Sequence, residues 1–376
     1  MSHNIIVFGI CHTNTLGLIR SLGEDGFKPI LVEVNNSKHS FINVSKYIAN
    51  YHKVNSPEDG IELIQQLYSS KPGKSIILTG TDACAMVIDR NYNKLRPNFI
   101  ISSVNNTEGE LENLLDKERI RICAESVGLR TPKSWVIDCT NGIVLPHDLS
   151  YPCVIKAINS VAGRKDVNIY HTESELISGL QSLIVESHII QIQEFIEKDY
   201  EILINGCVLS NGEIIMPCAL KKIRHFPHGF GGLAYGIVTP NIDQYISTPL
   251  LKNFLEKIGY NGLFSIEFLI KDGNAYFLEI NLRNDGTSYV STYGGVNLAS
   301  IWTKDALGLE NIFNTKVSKE YLASSIIADF HNVTEKRIKV CQWFKQIIQS
   351  DVDLLWNKKD FKPALYYIIN RVKTKL

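Results

Sequence analysis

No charge of either sign dominates this 376-residue chain: 39 lysines and arginines balance 39 aspartates and glutamates. A neutral protein builds no long-range field to gather polyanions, so nucleic acid is not an expected partner. Methionine is scarce, and none of Met1, Met86 and Met216 precedes a lysine, so a biotin-bearing Met-Lys motif is excluded. No apolar run approaches the roughly 18 residues that span a bilayer. The N-terminus, Met-Ser-His-Asn before Ile5, lacks a basic n-region and a cleavage site, and reads as the lead into a first strand. The eight cysteines form no CxxC pair and no Cys/His ligand spacing. Several, such as Cys153 and Cys218, sit in apolar runs and are expected to be small buried hydrophobes in a reducing cytoplasm.

Two phosphate-binding signatures are also missing. The first turn, Gly9-Ile-Cys-His-Thr-Asn-Thr-Leu-Gly17, is not GxGxxG, so a dinucleotide is unsupported. It reads either as a plain strand-to-helix connection or as backbone N–H groups offered to a substrate carboxylate. Gly73-Lys-Ser75 is half a P-loop, without the earlier glycine and with a strand pattern where a helix should follow.

What is present is a globular composition, 44% hydrophobic and 21% charged, long enough for two or three cores. Residues 1–105 alternate strand and helix patterns (Ile5–Phe8, Leu16–Leu22, Pro29–Val34, Ile61–Leu67, Ile76–Leu78, Phe99–Ser102), which indicates a parallel α/β sheet. Asn105–Thr131 reads as helical, and Trp135–Ile196 as strand, strand, helix, strand. Ile202–Ile204 and Glu213–Leu220 read as strands, with Asn211-Gly212 as a hairpin turn. Lys221, Lys222, Arg224 and His225 then precede a glycine-rich stretch to Gly236, cations and open backbone amides suited to phosphate.

The most informative segment is Phe264–Arg283, two β-rich runs around an Asp-Gly turn. Phe264, Ile266, Phe268 and Ile270 share one face, which Tyr276, Leu278 and Ile280 are expected to continue. Glu267, Glu279 and Asn281 then point the other way. With an odd-length loop such as Asp272-Gly273-Asn274, Glu267 and Glu279 stand opposite each other. Such carboxylates repel unless a cation lies between them, and two carboxylates with one amide suit Mg²⁺. The same residues also fit a plain hairpin with a solvated acidic face.

The order of these segments resembles the ATP-grasp superfamily of carboxylate–amine ligases and biotin carboxylase-like enzymes, in motif detail from about Leu111 to Val296. The resemblance implies an N-terminal α/β domain (1–110), a two-part ATP-grasp domain (111–325) with an α+β lid at about 131–196, and a helical tail (326–376). It implies that Lys117 and Lys156 contact the nucleotide and that Ser160 and Gly163 cover its phosphates. The lid loop has one glycine where many relatives have three or more. Gln193, Glu194, Phe195 and Ile196 correspond to the hinge for adenine, and Glu201, seven residues after Glu194, to the ribose glutamate. Glu267, Glu279 and Asn281 would hold Mg²⁺ or Mn²⁺, with Arg283, Lys222 and Arg224 serving catalysis. The activity implied is ADP-forming ligation of a carboxylate to an amine, with an amino acid on one side. The alternative is carboxylation or carbamoylation with bicarbonate.

Beyond about residue 325 lies a tail outside these motifs. Val340, Trp343, Phe344, Ile347 and Ile348 make one helical stripe, and Leu365, Ile368, Ile369 and Val372 another. Residues 331–376 carry ten Lys/Arg against four Asp/Glu. The tail is expected to pack on its own protein or on a second copy in a homodimer. A basic amphipathic segment of this kind also suits a membrane surface or an acidic partner.

Overall fold

A computed structural model describes residues 3–37, 39–71, 73–157, 168–184, 188–227 and 232–373. The protein is α/β, with a parallel sheet first, two antiparallel sheets after it and helices at the end. Among the described residues, no helix is long and apolar enough to cross a membrane.

The first sheet has five parallel strands, in the order Asn50–Val54, Ile30–Val34, Ile5–Ile10, Ser75–Thr79, Phe99–Ile101. Its central strands are near-continuous apolar runs because helices cover both faces. Val7 and Leu31 pack toward Leu18 and Leu22 of helix Thr13–Glu24, whereas Ile6, Phe8 and Val32 pack toward Ile61, Ile64 and Val87. Helix starts are written in the sequence: Ser56 accepts from the Asp59 N–H with Pro57 following, and Thr81 accepts from Cys84 N–H. Asn50–Val54 and helix Asp82–Arg90 escape the sequence reading. The strand has a half-exposed polar face, and the helix is too short for its apolar period to stand out.

Strand order reverses between Ile5–Ile10 and Ser75–Thr79, the place where open α/β sheets bind ligands beyond the strand ends. Cys11–Asn14 leave one of these ends and Thr81-Asp82 the other.

The span expected to be helical, Asn105–Thr131, holds two helices, Glu110–Leu114 and Lys117–Ser126. Asp116 breaks it by accepting from both Glu118 and Arg119 N–H, the behaviour of an N-cap. A four-stranded antiparallel sheet follows, ordered Ser134–Asp138, Ile189–Glu194, Cys153–Ala157, Asn168–Tyr170, with helix Glu173–Leu183 packed on it through Leu176 and Leu180.

The largest sheet runs Asn274–Asn281, Tyr260–Lys271, Tyr200–Val208, Ala219–His225, Leu233–Thr239, Tyr321–Ser324, and finally Val352–Asp353 in parallel. Its informative hairpin departs from expectation in a useful way. Lys271 pairs with Asn274, so the loop is the two residues Asp272-Gly273, both at positive φ (49° and 71°), the twist favoured by a two-residue Asp-Gly turn. Glu267 nevertheless faces Glu279, because a bulge after Phe268–Phe277 places Leu278 and Glu279 together against Glu267. The bulge also shifts the core face: Phe277 and Ile280 are buried, while Tyr276 and Leu278 are only half-buried.

The tail packs on the chain itself. Helices Ile326–Thr334 and Val340–Gln349 lead into the edge strand Val352–Asp353, and helix Lys362–Lys373 follows. Arg20, fully buried in the first helix, donates to the Asp360 carboxylate (3.1 Å) and to the carbonyls of Leu354, Leu355 and Asp360. Asp360 also accepts from the Ser45 hydroxyl (2.9 Å) and the Lys46 N–H (3.1 Å). A buried pair so fully hydrogen-bonded clamps the end of the chain to its beginning.

Candidate active site

A cavity of about 1300 Å³ lies where the three sheets meet. One wall is the hairpin: Glu267, Leu278, Glu279, Asn281 and Arg283 all line it. Lys117 at the start of its helix and Lys156, Gln191 and Gln193 from the four-stranded sheet line another. His12, Asn14 and Asp82 reach it from the switch point of the parallel sheet.

Strand pairing explains how these side chains converge. Gln191 stands opposite Lys156, and the Lys156 ammonium donates to Gln193 Oε1 at 2.7 Å. Gln191 Nε2 donates to Glu118 (2.9 Å), tying the four-stranded sheet to the helix that carries Lys117. Glu194 stands across from Cys153 and accepts from the Lys133 N–H at 3.3 Å, Phe195 N–H donates to the Pro152 carbonyl, and Ile196 is buried.

In the large sheet Glu201 pairs with Lys222. The Lys222 ammonium, 2% exposed, lies 3.0 Å from Glu201 and 2.8 Å from Glu267, and so links two carboxylates of different strands. Lys198 also pairs with Glu201, and His225 Nδ1 is 3.6 Å from it. Burial alone would raise the Glu201 carboxyl, but Lys222, Lys198 and His225 outweigh it and hold it down at about 2.

The basic cluster after residue 220 does not act as one patch. Register shifts between Lys222, Arg224 and His225 break the two-residue alternation. Lys222 and His225 turn to Glu201, while Arg224 forms a two-pronged pair with Asp329 (2.5 Å each) and donates to Gln346 in the tail. The structure therefore places Arg224 against the tail helices, apart from the cavity wall.

Arg283 is the hub of the hairpin exit. Its guanidinium contacts Asp82 (3.0 and 3.3 Å), the Asn281 amide oxygen (3.0 Å), the Asn284 carbonyl (3.3 Å) and Asp285 (3.4 Å). Burial opposes its charge, but Asp82 and Asp285 hold its pKa above the ordinary arginine value. Asp285 is also pinned by the Thr287 N–H (2.9 Å) and hydroxyl (2.6 Å), and its carboxyl, although raised by burial, is lowered on balance by Arg283 and Thr287. Asn284 N–H donates to the Thr79 carbonyl and its side chain to the Asn14 carbonyl, fastening the hairpin exit to the switch point.

A cation fits the hairpin wall by donor chemistry. Glu267 and Glu279 are register partners, and Asn281 lies two residues on. Two carboxylates and an amide oxygen are a hard, all-oxygen set suited to Mg²⁺ or Mn²⁺. Among the described residues no cluster of three His, Cys, Asp or Glu could hold a metal, so the amide is needed to complete this set. Ser160 and Gly163 lie outside the described residues. Sequence reasoning missed Asp82, Gln191 and Asp285. Only the last had a local signal, an Asp three residues before Ser288 at the start of a helical turn.

The chain matches no family model. It is 27% identical over 268 residues to D-aspartate ligase of Enterococcus faecium, across 66% of this chain and 62% of that protein. It superposes on L-amino acid ligase from Bacillus licheniformis with a TM-score of 0.64 at 16% identity, covering 86% and 80% of the two chains. It also superposes on N5-carboxyaminoimidazole synthetase from Staphylococcus aureus complexed with ADP, with a TM-score of 0.64, 14% identity and coverage of 86% and 82%.

The chain has the fold of the ATP-grasp enzymes.

It spans less than two thirds of that D-aspartate ligase. The ATP-grasp fold accounts for the arrangement seen: a parallel domain, a small antiparallel sheet and a large antiparallel sheet around one cavity.

Proposed function

We propose that this protein is an ATP-grasp ligase, dependent on ATP and magnesium, that activates a carboxylate as an acyl phosphate and joins it to an amine, with an amino acid as one substrate. The observation that carries the reading is the hairpin wall: Glu267 and Glu279 in register, Asn281 and Arg283 beside them, facing one cavity with Lys117 and Lys156. The similarity to a protein named D-aspartate ligase supports an amino acid as substrate.

A carboxylate does not condense with an amine in neutral water, because the acid is ionised and oxide is a poor leaving group. In the proposed reaction a carboxylate oxygen attacks the γ-phosphorus, ADP leaves, and the acyl phosphate forms. The amine nitrogen then attacks the acyl carbon, phosphate leaves, and the nitrogen loses a proton. Catalysis of the first step is mostly positioning and charge neutralisation. Lys117 and Lys156 are assigned to the phosphates, Gln193–Ile196 to adenine and Glu201 to ribose. Lys222, fixed between Glu201 and Glu267, holds the nucleotide and metal carboxylates at a set separation. Arg283 is assigned to the substrate carboxylate and the charge that develops on it, a two-pronged geometry that lysine cannot copy. Glu267, Glu279 and Asn281 would hold Mg²⁺, which when bound neutralises the β- and γ-phosphates.

The test is a coupled ADP-release assay over pairs of amino acids, with bicarbonate as a separate arm. ADP release that requires both a carboxylate and an amine is expected. Release with bicarbonate alone, or no release with any pair, overturns the reading. In the active pair, Glu279→Gln is expected to abolish turnover while the melting temperature stays near that of wild type, since Glu279 lies on the cavity wall and outside the core.

A further inference from the structure

Nine of the twenty exposed large hydrophobic side chains among the described residues fall in residues 340–369. Helix Lys362–Lys373 turns Tyr367 and Arg371 toward the cavity, and Tyr367 packs edge-on against Phe41 at 5.2 Å. Its opposite face carries Phe361, Leu365, Ile368 and Ile369, spaced i, i+4, i+7, i+8 and each 36–55% exposed. Helix Val340–Gln349 repeats the pattern: Trp343 packs on Phe330, while Val340, Phe344 and Ile348 on the other side are 60–70% exposed. Single exposed apolar residues need no explanation, but stripes on successive helices do.

Charge is divided unevenly along the same sequence. Residues 331–376 are net positive by six, which leaves the preceding 330 residues net negative by six in a chain that is neutral overall. Two of the four acidic residues of this tail, Asp353 and Asp360, are buried and engaged inward. Lys358, Lys359 and Lys362, beside the Phe361–Ile369 stripe, are exposed.

We propose that the tail is a peripheral membrane-binding surface that rests on an anionic lipid bilayer, with the Phe361–Ile369 face in the headgroup region. Apolar and aromatic side chains flanked by lysines are the composition of helices that lie in the interface. Lysines near an anionic surface add electrostatic attraction that salt screens. The uneven charge orients the molecule tail-first. A second copy is the weaker occupant, because a twofold contact through this face brings two basic tails together. A helix of 12 residues, about 18 Å long and about 10 Å across, also presents a face of only about 180 Å², small beside the roughly 800 Å² per partner of a standard protein interface. The surface would set the cavity, lined by the inner face of the same helix, next to the membrane.

Vesicle flotation of the full chain tests this without reference to catalysis. Binding is expected to vesicles of equimolar phosphatidylcholine and phosphatidylglycerol, weakening as salt is raised, with little binding to phosphatidylcholine alone. Leu365→Ser/Ile369→Ser is expected to weaken partitioning by about tenfold or more, and Lys358→Glu/Lys359→Glu to do the same with an unchanged melting temperature. Equal binding to both vesicle types, no binding to either, or equal partitioning of wild type and variants overturns the proposal. So does sedimentation showing a wild-type dimer that Leu365→Ser/Ile369→Ser turns into a monomer, which assigns the stripe to a second copy.

Discussion

Glu201 shows how much of this site is held by charge. Its carboxylate meets Lys222, Lys198 and His225 in a buried setting and is held at about 2, below its ordinary value of 4.5. A depressed carboxyl contributes stability that is fully present above the unfolded value and is lost as pH falls through the folded one. The shift corresponds to about 3 kcal/mol. The stability gap between wild type and Glu201→Gln should therefore be near its full size above about pH 5 and shrink toward about pH 2, as read from denaturant curves across that range. A gap that does not change with pH removes the charge argument. At Arg283 the expectation is kinetic. The guanidinium serves Asp82, Asn281 and Asp285 at once, a fan that a single ammonium cannot reproduce. Arg283→Lys should leave nucleotide affinity nearly unchanged and lower kcat by about a hundredfold or more, the scale of losing one preorganised charge-stabilising group. Wild-type kcat in that variant would make Arg283 scaffolding. Glu267, Glu279, Asn281 and Arg283 were legible in the sequence because alternation along a strand is a local property. Asp82 was not: it meets Arg283 across 201 residues, and nothing local marks it.

At the scale of elements, the hairpin shows what a pattern can and cannot fix. An Asp-Gly pair between β-rich runs locates the turn, but loop length alone would have put Leu278 opposite Glu267. The bulge restores the opposition and moves Phe277 into the core. Bulges have no reliable sequence mark, so pairing was foreseen and its cause was not. The basic cluster is split for the same reason, since shifted register sends Arg224 to Asp329. The tail stripes were legible as helices by their period, but the clamp that docks them was not, because Arg20 and Asp360 are 340 positions apart. That clamp is testable. Asp360→Ala leaves the Arg20 guanidinium buried without its carboxylate, and removing one partner of a buried pair costs about 3–5 kcal/mol. Denaturant unfolding should show a loss of that size. A change under about 1 kcal/mol means the four carbonyl and carboxylate contacts of Arg20 are redundant.

At the scale of the molecule, the cavity belongs to no single sheet. Lys156 and Gln193 come from the four-stranded sheet, Glu201, Glu267 and Glu279 from the large one, and Asp82 from the parallel one. A nucleotide lying along these walls adds to the contacts that already join these parts, such as Gln191 to Glu118 and Asn284 to Thr79. Ligand that binds only the folded state stabilises it by about 2.7 kcal/mol at a hundredfold excess over its dissociation constant. Thermal melts with Mg²⁺ and a non-hydrolysable ATP analogue should therefore rise in wild type. The analogue separates binding from turnover, so the result does not depend on knowing either substrate. Glu201→Ala should lose most of that rise, since the ribose carboxylate is gone and Lys222 is released from one of its two anchors. Lys358→Glu/Lys359→Glu, exposed and outside the cavity lining, should keep all of it. An equal rise in wild type and Glu201→Ala would place the ribose elsewhere on the cavity wall. No rise in wild type would mean that these residues, although gathered around one cavity, do not form a nucleotide site, and the proposed chemistry would fall with it.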